Sequence, residues 1–274
     1  MNYLVLGSAG QIGSPLCTFL RGQGHNVFEF DILNGENEDL RIHRNSNLSK
    51  KMAAADFVFF LAFDVGGSRY LEKHQDSFQF LQNNVSIMEN VFHELNIHKT
   101  PFIFASSQMS NMTYSPYGTA KAIGEKYTDT LGGLTVKFWN VYATEHDEDK
   151  AHVITDFIIK AKNNKRIDML TDGSEVRQFL HGDDCSKCLY KLSHKFEKLD
   201  KKLEYHTTSF EWVSILKIAQ IIAEQFPGTE IIPAERKDNV QLNKRNEPDS
   251  SILRLWKPEI SIKEGIIKVI KEMK

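Results

Sequence analysis

Tyr117 and Lys121 stand four residues apart in the run Tyr117-Gly-Thr-Ala-Lys121, shortly after Phe104-Ala-Ser-Ser107. On a helix, side chains at i and i+4 share one face. An ammonium held near a phenol favours the tyrosinate and lowers its pKa from about 10. Tyr117 is then a candidate general base near neutral pH, with the Ser107 hydroxyl available to hold a substrate oxygen. Such a base suits removal of a proton from an alcohol while a hydride leaves the same carbon. Any amphipathic helix can produce a tyrosine and a lysine at this spacing, so the chemistry depends on a hydride acceptor encoded elsewhere.

That acceptor site is readable at the start of the chain. Tyr3 to Leu6 is a short apolar run that ends in Gly7-Ser-Ala-Gly10-Gln-Ile-Gly13, followed by a helical stretch from Ser14 to Gly22. Strand, glycine turn and helix bring backbone N–H groups and a helix N-terminus to where a pyrophosphate binds. Gly7, Gly10 and Gly13, with Gln11 and Ile12 between them, permit the tight turn and the close approach of phosphates. The spacing is G-x-x-G-x-x-G rather than G-x-G-x-x-G. A second strand from His25 ends at Asp31, placed to accept hydrogen bonds from the adenine ribose hydroxyls. A carboxylate there repels a 2′-phosphate, which favours NAD over NADP. Asp39 and Leu40 follow in a loop where an adenine edge could be read.

The rest of the chain must position these residues. Asp56 to Ala62 is continuously apolar, as a strand buried on both faces requires. Ser77 to Leu95 has helical apolar spacing, Phe102 to Ala105 reads as a fourth strand and Leu134 to Asn140 as a fifth, and Val153 to Asn163 and Trp212 to Gln225 are amphipathic with helical spacing. Strands alternating with helices define an α/β fold with a doubly wound parallel sheet. Ligands of such sheets bind beyond the carboxyl ends of the strands. The glycine turn, Asp31, Leu61-Ala62, Ser106-Ser107 and Asn140 all fall at those ends, so they converge on one cleft.

Composition is compatible with this. The 274 residues are 41% hydrophobic and 26% charged, with a formal net charge of -2. A charge this small offers no electrostatic reason to expect nucleic acid or an anionic membrane as partner. No run of about 18 apolar residues suggests a membrane span. Cys17, Cys185 and Cys188 are an odd, sparse set, read as reduced thiols in a cytoplasmic protein. The Cys185-x-x-Cys188 pair lies in an expected helix with no second pair and is read as structural, and His181 and His206 lack ligand spacing, so no metal is expected.

Taken together, GSAGQIG, Asp31, ADFVFFLA, the serine pair, YGTAK and FWNVYA resemble the extended short-chain dehydrogenase/reductase family of NAD-dependent nucleotide-sugar epimerases, dehydratases and reductases. GSEVRQFLHGDDCSKCL and RNEPDSSILRLWKPEISIKEGI resemble its later segments, so the likeness covers essentially the whole chain. It implies a Rossmann-like domain over residues 1–145 with a returning segment at about 175–208. A smaller α/β part, residues 146–174 and 209–274, would cap the cleft and bind the nucleotide-diphosphate sugar. It implies Tyr117 as base, Lys121 on the nicotinamide ribose and Ser107 on the reacting hydroxyl. Asn140, Arg177 and Arg245 are implied contacts to the diphosphate or nucleoside, and Asn84 matches an asparagine of the long helix whose role is packing or ligand contact. A homodimer through the helices at Ser77–Leu95 and Pro116–Leu131 is also implied.

The departures bear on the reaction. The family's 4,6-dehydratases carry an Asp-Glu pair directly after the serine, whereas here Gln108 and Met109 stand there, and neither exchanges a proton. The 3,5-epimerases place a cysteine at the Met109 position, which this chain lacks. Ala62-Phe-Asp-Val-Gly-Gly67 nevertheless resembles the glycine-pair loop of GDP-mannose 3,5-epimerase, a hint of a GDP-linked sugar of manno configuration. The simplest chemistry left is oxidation or reduction at one carbinol, carbon 4, by a 4-epimerase or 4-dehydrogenase. A 4-reductase and a non-catalytic NAD-binding sensor are the alternatives.

Overall fold

The computed structural model describes residues 1–145, 147–238 and 246–273. The chain runs β1 (Asn2–Leu6), α1 (Gly13–Gly22), β2 (Asn26–Phe30), α2 (Ser46–Ala54), β3 (Phe57–Phe60), α3 (Ser68–His74), α4 (Phe78–His98), β4 (Phe102–Ser107), α5 (Pro116–Leu131) and β5 (Leu134–Phe138). It continues as β6 (Asn140–Tyr142), α6 (Val153–Asn164), β7 (Arg166–Asp168), β8 (Val176–His181), α7 (Gly182–Lys195), β9 (Tyr205–Thr207), β10 (Trp212–Ser214), α8 (Ile215–Ala223), β11 (Glu230–Ile232) and α9 (Ile262–Glu272).

Six strands form one sheet in the order β2-β1-β3-β4-β5-β9, and every pairing in it is parallel. The chain leaves β1 in one direction to make β2, then crosses back to place β3 on the other side. This reversal opens a crevice at the carboxyl ends of β1 and β3, the position where doubly wound sheets take ligands.

Apolar packing explains why the strands read as unbroken hydrophobic runs. Tyr3 and Val5 face one layer, with Leu16, Leu20, Cys185, Cys188 and Leu189 from α1 and α7. Leu4 and Leu6 face the other, with Leu48, Met88, Val91 and Ala120 from α2, α4 and α5. Both faces are covered, so polar alternation has no place. A third cluster joins Tyr142, Phe157, Ile167, Ile218, Ile222, Ile266 and Ile270 around α6, α8 and α9. No described helix is long and apolar enough to cross a membrane.

Two expected elements differ. The strand from Leu134 breaks at Trp139, and Asn140 opens β6, which pairs with β8 in a separate three-stranded sheet. The amphipathic stretch from Trp212 begins as β10, antiparallel to β8. Ser214 then caps α8 by accepting from Lys217 N–H at 3.1 Å, so the helix starts three residues later than its apolar spacing suggests. Within the segment 175–208, β9 pairs with β5 in the main sheet while β8 pairs with β6 and β10. Trp139 and Trp256 are buried, and Trp212 lies edge-on to Trp139 at 5.7 Å.

Phe60, at the end of β3, has no exposed surface and meets Phe92 and Phe104 at centroid distances of 5.3 Å each. Phe60→Ala is therefore expected to cost about 3–5 kcal/mol of unfolding free energy. Urea denaturation checks this, and a loss below about 1 kcal/mol would mean the cluster repacks freely.

Candidate active site

The glycine turn is built by close contact. Gly7 adopts φ +86°, and a Cβ there would lie 2.8 Å from the backbone N and Cα of Ala62, two residues past β3. A Cβ on Gly13 would overlap the carbonyl oxygen of Gly7. These two glycines let β1, α1 and β3 meet without side chains between them. The N-terminus of α1 has no side-chain cap and no acidic residue in its first turn. Pro15 carries no N–H, and the Ser14 and Leu16 N–H groups donate to the Gly10 and Ile12 carbonyls, so what this end offers an anion is chiefly the partial positive charge of the helix. The Gln11 Nε2 atom is buried with no hydrogen-bond partner among the described residues. A buried donor without an acceptor is costly, and a phosphate oxygen would satisfy it.

Asp31 closes this turn. One carboxylate oxygen accepts from Ala9 N–H and the other from Leu33 N–H, each at 3.0 Å. Each oxygen retains capacity for a second donor, such as a ribose hydroxyl. Asp39 is differently engaged: Arg41 holds its carboxylate in a two-pronged contact at 2.7–3.0 Å. The Arg41 hydrogen bonds outweigh partial burial and keep Asp39 below the usual carboxylate range. The Leu40 side chain is buried in the core with α2 and α4. Leu61 packs against one core layer and Ala62 against the other.

Ser107 ends β4, and Tyr117 lies in the first turn of α5. Pro116 opens that helix and Ser115 caps it, accepting from Gly118 N–H at 3.2 Å. A Cβ on Gly118 would overlap the Met109 carbonyl oxygen, so α5 presses directly on the turn after Ser107. The Ser107 Oγ accepts from Met109 N–H at 3.1 Å and is hydrogen-bonded to Tyr117. Lys121, one turn further along, donates to the Ala105 carbonyl at 2.6 Å. Its Nζ lies 3.6 Å from the centre of the Phe63 ring and 5.8 Å from that of Tyr117.

The electrostatics differ from what the Tyr117–Lys121 spacing alone suggests. Burial pushes the Tyr117 phenol up to about 12, with the Ser107 hydrogen bond pulling the other way. Burial also pushes Lys121 down to about 7, opposed by the negative charge of Glu125. The ammonium is drawn toward Ala105 and Phe63 rather than the phenol oxygen, so desolvation dominates both groups. Phe63 supplies much of that apolar wall and meets Tyr117 edge-on at 5.8 Å; it follows the β3 strand without any chemical signature in the sequence.

On the substrate side, Gln108 is buried and Asn246 Nδ2 donates to both its carbonyl and its Oε1 atom at 2.7 Å each. Asn140 donates to Gln178 O at 3.3 Å. Arg177 pairs with Asp238 and donates to Val176 O at 2.9 Å. Arg245 lies outside the described residues. Asn84 is fully buried and clamps the loop after β3: its Oδ1 accepts from Asp64 N–H at 2.7 Å and its Nδ2 donates to Asp64 O at 3.1 Å. Asp64 itself is a hub that sequence spacing does not reveal. Burial pushes its carboxyl up, but hydrogen bonds from Tyr70, Asn83 and Lys150 outweigh that and hold it below the usual range. Cys185 and Cys188 are buried on α7, and burial raises both thiols.

A parallel sheet with a glycine-lined crevice at its switch point, and a serine, tyrosine and lysine gathered beside it, defines a dinucleotide-dependent class of protein. The chain belongs to the NAD dependent epimerase/dehydratase family, which matches residues 3–206. A putative UDP-glucose 4-epimerase of Methanocaldococcus jannaschii is 32% identical over 168 residues, covering 58% of this chain and 53% of that one, about half its length. GDP-mannose 3,5-epimerase 1 of Oryza sativa subsp. indica is 24% identical over 313 aligned residues, covering 96% of this chain and 79% of that one. The solved structure of an epimerase from Methanothermobacter thermautotrophicus superposes with a TM-score of 0.84 at 20% identity, covering 98% of this chain and 91% of that one. At that identity the likeness is one of fold.

Lys121 binds its proton more weakly folded than unfolded, with the value falling from 10.5 to about 7. The unfolded chain then holds more protons between those values, so stability rises with pH through that window. Against Lys121→Met, the wild type is expected to gain a few kcal/mol between pH 7 and pH 10. Paired urea titrations at both pH values check this, and a constant difference would mean that Lys121 is hydrated.

Proposed function

We propose that this protein oxidises or reduces carbon 4 of a nucleotide-activated sugar, as a 4-epimerase or 4-dehydrogenase. The observation that carries the reading is the gathering of Ser107, Tyr117 and Lys121 at the end of β4, with Gln108 and Met109 in place of any further acid or base. The N–H groups of the glycine turn, Gln11 and the α1 N-terminus would hold the pyrophosphate of NAD, Asp31 the adenine ribose and Lys121 the nicotinamide ribose. Bound NAD would supply the hydride acceptor for oxidation, and its reduced form the hydride donor for reduction. Ser107 Oγ holds the reacting oxygen. Tyr117 takes the hydroxyl proton as the carbon–hydrogen bond breaks and returns a proton when the carbonyl is reduced. Neighbouring carbons keep their hydrogens, because neither Gln108 nor Met109 exchanges a proton.

A 4-reductase is the second reading, because Ser107, Tyr117 and Lys121 would serve hydride transfer in either direction. The likeness to rice GDP-mannose 3,5-epimerase and the loop from Ala62 to Gly67 support a GDP-linked manno-type hexose or heptose. Residues 146–174 and 209–274 are read as the nucleotide-sugar-binding cap. Phe78, Leu81 and Val85 on α4 and Ile123 and Tyr127 on α5 leave large apolar surfaces exposed, which supports pairing of two copies through these helices. Three unpaired cysteines fit a cytoplasmic setting.

The test is the near-ultraviolet spectrum of NAD-loaded protein on addition of GDP-mannose and, separately, UDP-glucose. Transient reduced nicotinamide without net build-up supports an epimerase, and net reduction with release of a keto sugar supports a dehydrogenase. No response to either sugar in either direction would leave a cofactor-binding protein without turnover. With a responding sugar, Tyr117→Phe is expected to lower turnover at least about a hundredfold while NAD binding persists. Near-normal turnover would remove Tyr117 from the mechanism.

A further inference from the structure

Behind Lys121, away from Ser107, lies a line of charges that the reaction described above does not use. Glu125 follows Lys121 by one turn of α5, so the two share a helix face. The Ser106 hydroxyl, next to the Ala105 carbonyl that receives Lys121, donates to Glu125. Lys137 on β5 has no exposed surface, and its Nζ lies 3.7 Å from Glu125 and 2.6 Å from Glu204. It also donates to Asn111 at 3.4 Å. Glu204 is half-exposed and faces His206 at 3.3 Å, and the other His206 ring nitrogen accepts from Trp139 Nε1 at 3.2 Å.

We propose that Glu125 is a positioning residue that sets the charge of Lys121, as the second member of an alternating row Lys121–Glu125–Lys137–Glu204 that runs from the reaction centre to the surface. A fully buried lysine is tolerated only where opposite charges repay its lost hydration. Lys137 has two carboxylates for this, and one of them also serves Lys121. Among the described residues, the groups against the row include Ser106 from β4, Asn111 after it, His206 on β9, and Tyr117, Phe63 and Phe104 beside Lys121. Of these, Tyr117 and His206 titrate, and burial pushes His206 down so that it adds no positive charge near neutral pH. Glu204 is held low because hydrogen bonds from Lys137 and His206 outweigh its burial. The outer end of the row thus stays charged, and its charge reaches Lys121 through Lys137 and Glu125.

The significance rests on the reading of Tyr117 and Lys121 as the reacting pair, but the measurement does not. It is an ε-carbon NMR titration of the full chain with isotope-labelled lysine, the Lys121 signal being assigned by its loss in Lys121→Arg. Glu125→Gln keeps an acceptor for Ser106 and removes only the charge, and the Lys121 midpoint is expected to fall by about one pH unit. Lys137→Met removes the opposing cation and is expected to raise it. Simple loosening would hydrate Lys121 and raise the midpoint in both variants, so the opposite signs separate electrostatic control from a structural role. An unchanged or raised midpoint in folded Glu125→Gln overturns the proposal. If that variant does not fold, Glu204→Gln, at the half-exposed end, must lower the midpoint by a smaller amount, and no shift there overturns it. A row that behaves as expected in a protein without turnover would sink the enzymatic reading and leave the electrostatics standing.

Discussion

The structure depends on one steric constraint: the junction of β1, α1 and β3 has no room for a Cβ. Gly7 abuts the backbone of Ala62, and Gly13 sits over the carbonyl of Gly7. That contact brings the first strand of the sheet and the strand beyond the topological reversal together at their carboxyl ends. It also turns the uncapped N-terminus of α1 into the crevice. The same economy recurs at Gly118, where α5 is pressed on the turn after β4 so that Tyr117 reaches Ser107. Backbone-on-backbone packing is therefore the means by which distant segments are made to share one cleft.

Charge burial is the second theme. Lys121, Lys137 and Asp64 are each withdrawn from water and each given specific partners: the Ala105 carbonyl and Phe63 face for the first, two carboxylates for the second, and a tyrosine, an asparagine and a lysine for the third. Such groups contribute little net stability. Their value lies in fixing geometry and protonation where the sheet ends, and Asp64 does this for the loop that carries Phe63.

Much of this was legible in the sequence, for physical reasons. Strands buried on both faces must be continuously apolar, so β1, β3, β4 and β5 stood out. Residues at strand ends of a doubly wound sheet must lie near one another, so Gly7, Asp31, Leu61 and Ser107 could be grouped without coordinates. What was hidden depends on partners far apart in the chain. Asn246 reaches Gln108 across 138 residues, and Arg177 meets Asp238 across 61. No periodicity announces such pairs. The upward displacement of the Tyr117 phenol was hidden too, because it arises from Phe63 and burial rather than from the lysine at i+4. Glu125 could have been noticed, since it continues the four-residue spacing of Tyr117 and Lys121, but only the neighbouring strand reveals Lys137 behind it. The break at Trp139 and the late start of α8 followed from pairing with β8, a tertiary effect that overrides local pattern.

The most direct measurement is a fluorescence titration of the purified protein with NADH and NADPH, repeated on Gly13→Val. A crevice built by side-chain-free packing and closed by Asp31 predicts saturable NADH binding, at least about tenfold tighter than NADPH. It also predicts loss of both in the variant, whose added side chain must push the β1–α1 turn away from the Gly7 carbonyl. Equal affinity for the two cofactors, or undiminished binding in Gly13→Val, would contradict a dinucleotide site at the glycine turn.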